Sequence, residues 1–234
     1  MIERSALKKE AKQILSNNFW TSFKVLIVPI VLMMLAFFVS YLILGIMSLI
    51  ILFWGSILFI ILCVALIIVS LMIGLFGNSL MMYMYQDLTQ DGVLPNSIWK
   101  YYLTLMKKYG WQLAKLAILQ SVLIMAWSLL LVIPGIIKGY AYAQAIYLLR
   151  EQVDQGQKVS VTACLKESTQ LMIGHKMEFF ILQLSFIGWF ILASVTLNLS
   201  LLYSVPYQAL TNVLYYQTLI KQKRLVNGEF ILAT

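Results

Sequence analysis

The sequence predicts an all-α polytopic membrane protein with six transmembrane helices, arranged as three repeats of an amphipathic helix followed by a helical hairpin. Three observations carry that reading. First, between Lys24 and Asp87 the chain runs 62 residues without an acidic or basic side chain, and charge-free stretches recur at 116–137 and 179–220. A hydrocarbon core about 30 Å thick takes roughly 20 helical residues per crossing, so the first and last stretches each hold two spans. Second, of 234 residues 62% are hydrophobic and 11% charged, with a mean hydropathy of +0.88, well outside the usage of soluble domains. Third, the charges that do occur collect between the apolar runs, where loops and interfaces belong.

The elements follow in order. Met1 to Leu15 mixes Arg4, Lys8, Lys9 and Lys12 with Glu3 and Glu10, with no short apolar core or small-residue cleavage site after it, so it reads as part of the mature protein and not as a signal peptide. Spans are expected at about 20–45, 50–86, 110–133, 135–150, 176–199 and 203–221. The fourth is short, begins at Pro134-Gly135 and contains Lys138. Charge placement supports it: with six spans, sixteen of the seventeen Lys and Arg residues lie on or near one side, leaving only Lys138 elsewhere. The positive-inside rule makes that side cytoplasmic, with both termini there and the protein in the cell membrane. The outer connections near Gly45–Ser48 and Asn198–Leu202 are short and uncharged. Pro134 and Pro206 mark outer starts or kinks of spans four and six.

The inner connections are amphipathic. Leu7, Ala11, Ile14 and Leu15 share one helical face, as do Ile98, Tyr101, Tyr102 and Leu105, and Val161, Cys164, Leu165, Ser168 and Met172. Ser160 is a candidate N-cap, and Pro95 stands near the start of the second helix. Two placements are open for these helices: in the head-group plane, or packed beneath the bundle. The junctions that follow resemble one another: Leu15-Ser-Asn-Asn-Phe-Trp20, Met106-Lys-Lys-Tyr-Gly-Trp111 and Met172-Ile-Gly-His-Lys-Met177. The whole chain, 1–234, therefore reads as one membrane domain of three units, about 1–90, 91–155 and 156–234.

No enzymatic constellation emerges. His175 is the one histidine, and no HExxH, GxSxG, P-loop or CxxC pattern is present. No metal, cofactor or catalytic residue is expected, and work driven by ATP would need a separate subunit. Cys63 and Cys164 do not read as a disulfide or as metal ligands. The net charge of +8 points to anionic lipid head groups and not to nucleic acid, because the bases flank spans.

Three groups of residues are candidates for a site. Lys138, with Tyr140 and Tyr142, has no carboxylate on its own side of the membrane; it snorkels, bonds neighbouring backbone, or meets a lipid phosphate or other anion. The second spans of the three hairpins repeat polar positions at i, i+4, i+7: Asn78/Met82/Tyr85, Tyr140/Gln144/Tyr147 and Gln208/Asn212/Tyr215. Asn78, Tyr85, Gln144, Tyr147, Gln208, Asn212 and Tyr215 either line a cavity or hydrogen-bond helix to helix. Glu178 lies at the depth of Lys24 and Lys115, which gives either an inner ion pair or solvated interfacial charges.

The blocks Ile133-Pro-Gly-Ile-Ile-Lys-Gly-Tyr-Ala-Tyr142, Glu167-Ser168, Leu171-Met-Ile-Gly-His-Lys176, Leu184-Ser-Phe-Ile-Gly-Trp189 and Pro206-Tyr207 resemble a bacterial integral-membrane family known as domain of unknown function 975. The resemblance is strong over the C-terminal half and one of layout over the first hairpin. It implies a multi-pass plasma-membrane protein, found mostly in Gram-positive bacteria, without an established activity. The layout is also similar to the membrane region attached to some glycerophosphodiester phosphodiesterases, which points toward lipid. This chain reads Thr196-Leu-Asn-Leu-Ser-Leu-Leu where the family usually has glycine. The expected function is a non-enzymatic protein that binds or organises lipid or another amphipathic molecule. The alternatives are a membrane subunit of a peptide transport or immunity system working with a separate ATPase, and a structural scaffold.

Overall fold

A computed structural model describes residues 2–51, 56–95, 97–157 and 159–226. Among the described residues the chain forms α-helices and no strand: α1 (Arg4–Asn17), α2 (Phe19–Ile51), α3 (Ser56–Asp91), α4 (Ile98–Leu130), α5 (Val132–Tyr142), α6 (Ala145–Asp154), α7 (Val161–Leu171), α8 (Lys176–Leu184), α9 (Ile187–Val195) and α10 (Leu201–Val226). Among the described residues, four stretches are long and apolar enough to cross a membrane: Phe19–Gly45, Cys63–Asp91, Ile98–Leu129 and Lys176–Val195. The other two expected spans differ in character. The fourth is broken into α5 and α6 at Ala143-Gln144, and α10 carries a face of amides and hydroxyls that dilutes its apolarity.

The turn expected at Gly45–Ser48 is not there. Helix α2 continues through it to Ile51, so the connection to α3 falls at 52–55, outside the described residues. Pro29 sits inside α2, where it removes a helical hydrogen bond, and α3 answers with glycine. A Cβ on Gly77 would stand 3.1 Å from the Pro29 ring, and one on Gly74 would stand 3.2 Å from Met33 Sδ. Small residues at a crossing let membrane helices approach closely, and Ser40 and Ser70 add a hydroxyl contact of 3.1 Å further along. Beyond that crossing, side chains such as Met34, Leu35, Phe38, Ile61, Ile67 and Ile68 are exposed. A hairpin this bare and apolar is at home in lipid.

Burial concentrates toward the charged end. Tyr83, Tyr85, Tyr102, Tyr215 and Tyr216 are fully buried there beside Leu80, Met84, Leu88 and Leu113. Helix α1 lays Leu7, Ala11 and Leu15 against α10, and α7 buries Cys164, Leu165, Ser168 and Leu171 against α5 and α6. The apolar faces of α1 and α7 are thus covered by the bundle. Ser160 caps α7 by accepting from the Ala163 amide at 3.4 Å. The second expected amphipathic helix is not separate: residues 98–130 form one helix, α4, because its buried stripe runs unbroken through Tyr102, Leu105, Tyr109, Leu113 and Leu116.

Both interrupted helices are mended from an amphipathic helix. At the α5–α6 break, Ser168 of α7 donates to the Ala141 carbonyl at 2.7 Å and accepts from the Gln144 amide at 3.2 Å. At the α8–α9 break, Lys8 of α1 donates to the Ser185 carbonyl at 3.4 Å and lies 4.5 Å over the Phe186 ring. Backbone groups freed inside a packed bundle need such partners.

The α9–α10 turn is built without glycine. Leu197 and Asn198 both take positive φ, 49° and 66°, and the Asn198 amide closes on the Ala193 carbonyl at 2.8 Å. Asparagine tolerates that region; leucine is strained there. Leu197 is 87% exposed, so its side chain adds little packing in return. Leu197→Gly is expected to stabilise the protein by about 1 kcal/mol, seen as a higher unfolding midpoint in detergent. An unchanged or lower midpoint would show that the turn is not strained.

Candidate functional site

A cavity of about 350 Å³ lies where α3, α4, the α5–α6 break, α8 and α10 meet. Its wall is mostly apolar, with Leu113, Leu116, Ile124 and Phe179, and its polar groups are all uncharged: Asn78, Ser79, Gln120, Ser121, Gln144, Tyr147 and Asn212. The volume falls in the range of small-molecule sites. Asn78 is exposed and Gln120 and Ser121 are half-buried, while Gln144 is 1% exposed. Asn78 of α3 thus stands at its exposed edge, and Gln144 at its buried end.

Gln144 is there because the helix breaks at it. With its backbone amide held by Ser168, its side chain turns into the cavity wall, and its Oε1 has no hydrogen-bond partner among the described residues. A buried carbonyl left unpaired costs about 1–3 kcal/mol. Tyr147 stacks on Tyr216 with ring centroids 4.7 Å apart, and its hydroxyl meets only Met82 Sδ, at 3.8 Å. Asn212 is fixed from behind: its Oδ1 accepts from Gln183 at 2.7 Å, and Gln183 Oε1 accepts from Gln208 at 2.7 Å.

The repeated polar positions therefore divide. Asn78, Gln144, Tyr147 and Asn212 line the cavity. Tyr85, Gln208 and Tyr215 do not: Tyr85 donates to the Ser22 carbonyl at 2.9 Å, Gln208 bonds Gln183, and Tyr215 donates to the His175 carbonyl at 3.2 Å. These three tie helices together.

Lys138, Tyr140 and Tyr142 are not gathered around one point. Lys138 Nζ lies 4.9 Å over the Trp127 ring of the neighbouring helix, Tyr140 packs on Phe179 and Phe180, and Tyr142 is buried with Leu116 and Leu149. A spacing of two residues sends Lys138 and Tyr140 to opposite sides of a helix. The inner ion pair is also not formed as expected. Glu178 pairs with His175 at 3.0 Å, Lys24 is exposed, and Lys115 lies 4.8 Å over Trp111, one helical turn before it. Glu178 and Lys115 each find a local partner before a distant one.

Beside the cavity, toward the charged end, lies a polar cluster that the sequence reading missed. Arg150, 8% exposed, is paired with the equally buried Asp87 and donates to the Tyr83 carbonyl at 2.7 Å. Its guanidinium lies between the rings of Tyr83 and Tyr109, 5.2 and 5.8 Å from their centroids. Tyr101 donates to the other oxygen of Asp87, while Lys108 and Tyr109 donate to Asp154 at 2.6 and 2.5 Å. Burial favours the neutral form of Asp154, yet the hydrogen bonds from Lys108 and Tyr109 outweigh it and hold the carboxyl below its ordinary pKa. Arg150 reads in sequence as one more interfacial base because Asp87 stands 63 residues away. The visible hint was Asp154, one helical turn on.

A family model described as "Protein of unknown function (DUF975)" matches residues 46–223. The chain belongs to the DUF975 family. The matched part of this DUF975 protein holds every residue that lines the cavity and the whole Arg150 cluster. No curated protein and no solved structure matches the chain.

Arg150→Ala leaves Asp87 buried without its cation and is expected to destabilise the DUF975 protein by about 3–5 kcal/mol. The pair Arg150→Met with Asp87→Leu removes both charges and recovers most of that loss. Thermal unfolding in detergent reads both. Equal losses in the single and double variants would mean that the pairing is not what matters.

Proposed function

We propose that this DUF975 protein is a non-enzymatic, multi-pass protein that binds or organises a lipid or another amphipathic molecule in the cavity between α3 and α4. The observation that carries this reading is the position of the mouth. It lies on the flank of two membrane-compatible helices, α3 and α4, with Asn78 exposed and Gln120 and Ser121 half-buried at its edge. A molecule dissolved in the bilayer reaches such a mouth without leaving the hydrocarbon. An apolar wall with a polar floor suits a molecule with a chain and a polar end.

The groups that could do chemistry are otherwise engaged, which supports a binding role. His175 is held by Glu178, and burial pushes the Cys164 thiol up to about 11, so it is not a thiolate at neutral pH. In the same reading α5–α6 and α10 complete six spans of a threefold-repeated unit in the cell membrane, with both termini cytoplasmic. The sixteen bases on one side of that arrangement and the lone Lys138 on the other support it.

Native mass spectrometry of the full chain released from membranes is expected to show a retained lipid-sized adduct. Ala117→Trp, which fills the cavity from its wall, is expected to remove it. No adduct, or one unaffected by Ala117→Trp, would contradict the reading. For orientation, Lys138→Cys in a background lacking Cys63 and Cys164 is expected to react with a membrane-impermeant maleimide on intact cells, and Arg224→Cys to react only after lysis. The reverse pattern would overturn the topology.

A further inference from the structure

We infer that the groove between the start of α1 and the α8–α9 break holds the phosphate of an anionic phospholipid, bound by Arg4 and Lys8. This site is separate from the cavity and takes a different chemistry, so it stands or falls without it.

The groove, of about 500 Å³, is lined by Ile2, Glu3, Arg4, Ser5, Lys8 and Ser185. Arg4 and Lys8 are four residues apart on α1 and so share one face of it. Lys8 is fixed in place: its ammonium donates to the Ser185 carbonyl at 3.4 Å and lies 4.5 Å over the Phe186 ring. Neither partner carries a formal charge, and the ammonium has further donors to offer. Neither Arg4 nor Lys8 is ion-paired among the described residues. Burial, and then the charge of Arg4, lower the Lys8 pKa, as expected of a cation with no anion beside it. An anion bridging the two cations would remove that repulsion. The carboxylate at the groove, Glu3, accepts from the Ser5 hydroxyl at 2.8 Å. Two positive charges and one negative leave the lining at +1, which matches the single negative charge of a phosphodiester.

The setting of the groove makes a lipid the source of that phosphate. Ser185 lies nine residues past Lys176, inside the stretch Lys176–Val195 that is apolar enough to cross a membrane. Leu184 and Ile187, on either side of the break, are 48% and 53% exposed. Helix α1 thus brings two cations against a lipid-compatible surface, where charge without a counterion is costly. A phospholipid meets the charge with its phosphate and covers Leu184 and Ile187 with its acyl chains. A soluble phosphate would leave those side chains bare. Phosphatidylcholine brings a cation of its own, and only Glu3, already held by Ser5, is there to meet it.

The test adds dioleoylphosphatidylglycerol or dioleoylphosphatidylcholine, which share their acyl chains, to the purified full-length protein and reads bound lipid by native mass spectrometry. The wild-type protein is expected to favour the phosphatidylglycerol about tenfold. Arg4→Gln with Lys8→Gln, in which a glutamine can still donate to the Ser185 carbonyl, is expected to lose most of that preference. Lys9→Gln with Lys12→Gln removes the same charge from the same helix outside the groove and is expected to keep it, as is Ala117→Trp in the cavity. Thermal unfolding in detergent gives a second reading on folded protein. Phosphatidylglycerol is expected to raise the midpoint of the wild type and of the Lys9/Lys12 pair, and not that of the Arg4/Lys8 pair. No preference in the wild type, or an equal loss in both pairs of variants, would overturn the inference. So would loss of the preference in Ala117→Trp, which would move the lipid to the cavity, or deacylated glycerophosphoglycerol binding as tightly as the lipid.

Discussion

The pairing of Arg150 with Asp87 is the constraint on which the rest of the arrangement depends. A guanidinium this deeply buried is tolerated only if its donors are filled and its charge is met, and the groups that do so come from α3, α4 and α6. Those three helices are thereby held at fixed depth relative to one another. Gln144 lies six residues before Arg150 and Asn78 nine before Asp87. At 1.5 Å per residue they stand roughly 9 and 13 Å further from the charged end, where the cavity opens. The ion pair does not touch the cavity floor, but it sets where the floor is.

The second constraint is the cost of leaving buried backbone unpaired. An uninterrupted helix through α5 and α6 would carry Gln144 as one more side chain. Breaking it at Ala143-Gln144 frees peptide groups, and Ser168 on α7 satisfies them. The amphipathic helices are in this sense clamps: α7 at one break and α1, through Lys8, at the other. That role explains why their apolar faces turn to protein, and it ties cavity formation to elements outside the spans.

Much of this was legible in the sequence, for reasons that differ by element. The charge-free runs reveal α2, α3, α4 and α8–α9 because lipid excludes charge residue by residue, a local rule. The faces Leu7/Ala11/Leu15 and Cys164/Leu165/Ser168 are visible because helical period is also local. Asn78, Gln144, Tyr147 and Asn212, all at places of the repeated spacing, line the cavity, yet Tyr85 and Tyr215 at the same spacing do not. Spacing fixes a shared face and is silent about which neighbour that face meets. The continuity of α4 was hidden because Gly110-Trp111 resembles a junction, although the stripe from Tyr102 to Leu116 runs through it. Arg150 was hidden for the opposite reason: its partner is distant in the chain, and a count of charges by side treats a buried base and a solvated one alike.

The central claim is that the space beneath Asn78 and above Arg150 is a site entered from the bilayer. The measurement that meets it most directly is an electron cryomicroscopy structure of the full chain in lipid nanodiscs. The account predicts elongated density running from between α3 and α4 to Gln144, with Arg150 still on Asp87. A bundle in which α3 and α4 close over the cavity and the Gln144 amide bonds another protein group would contradict it.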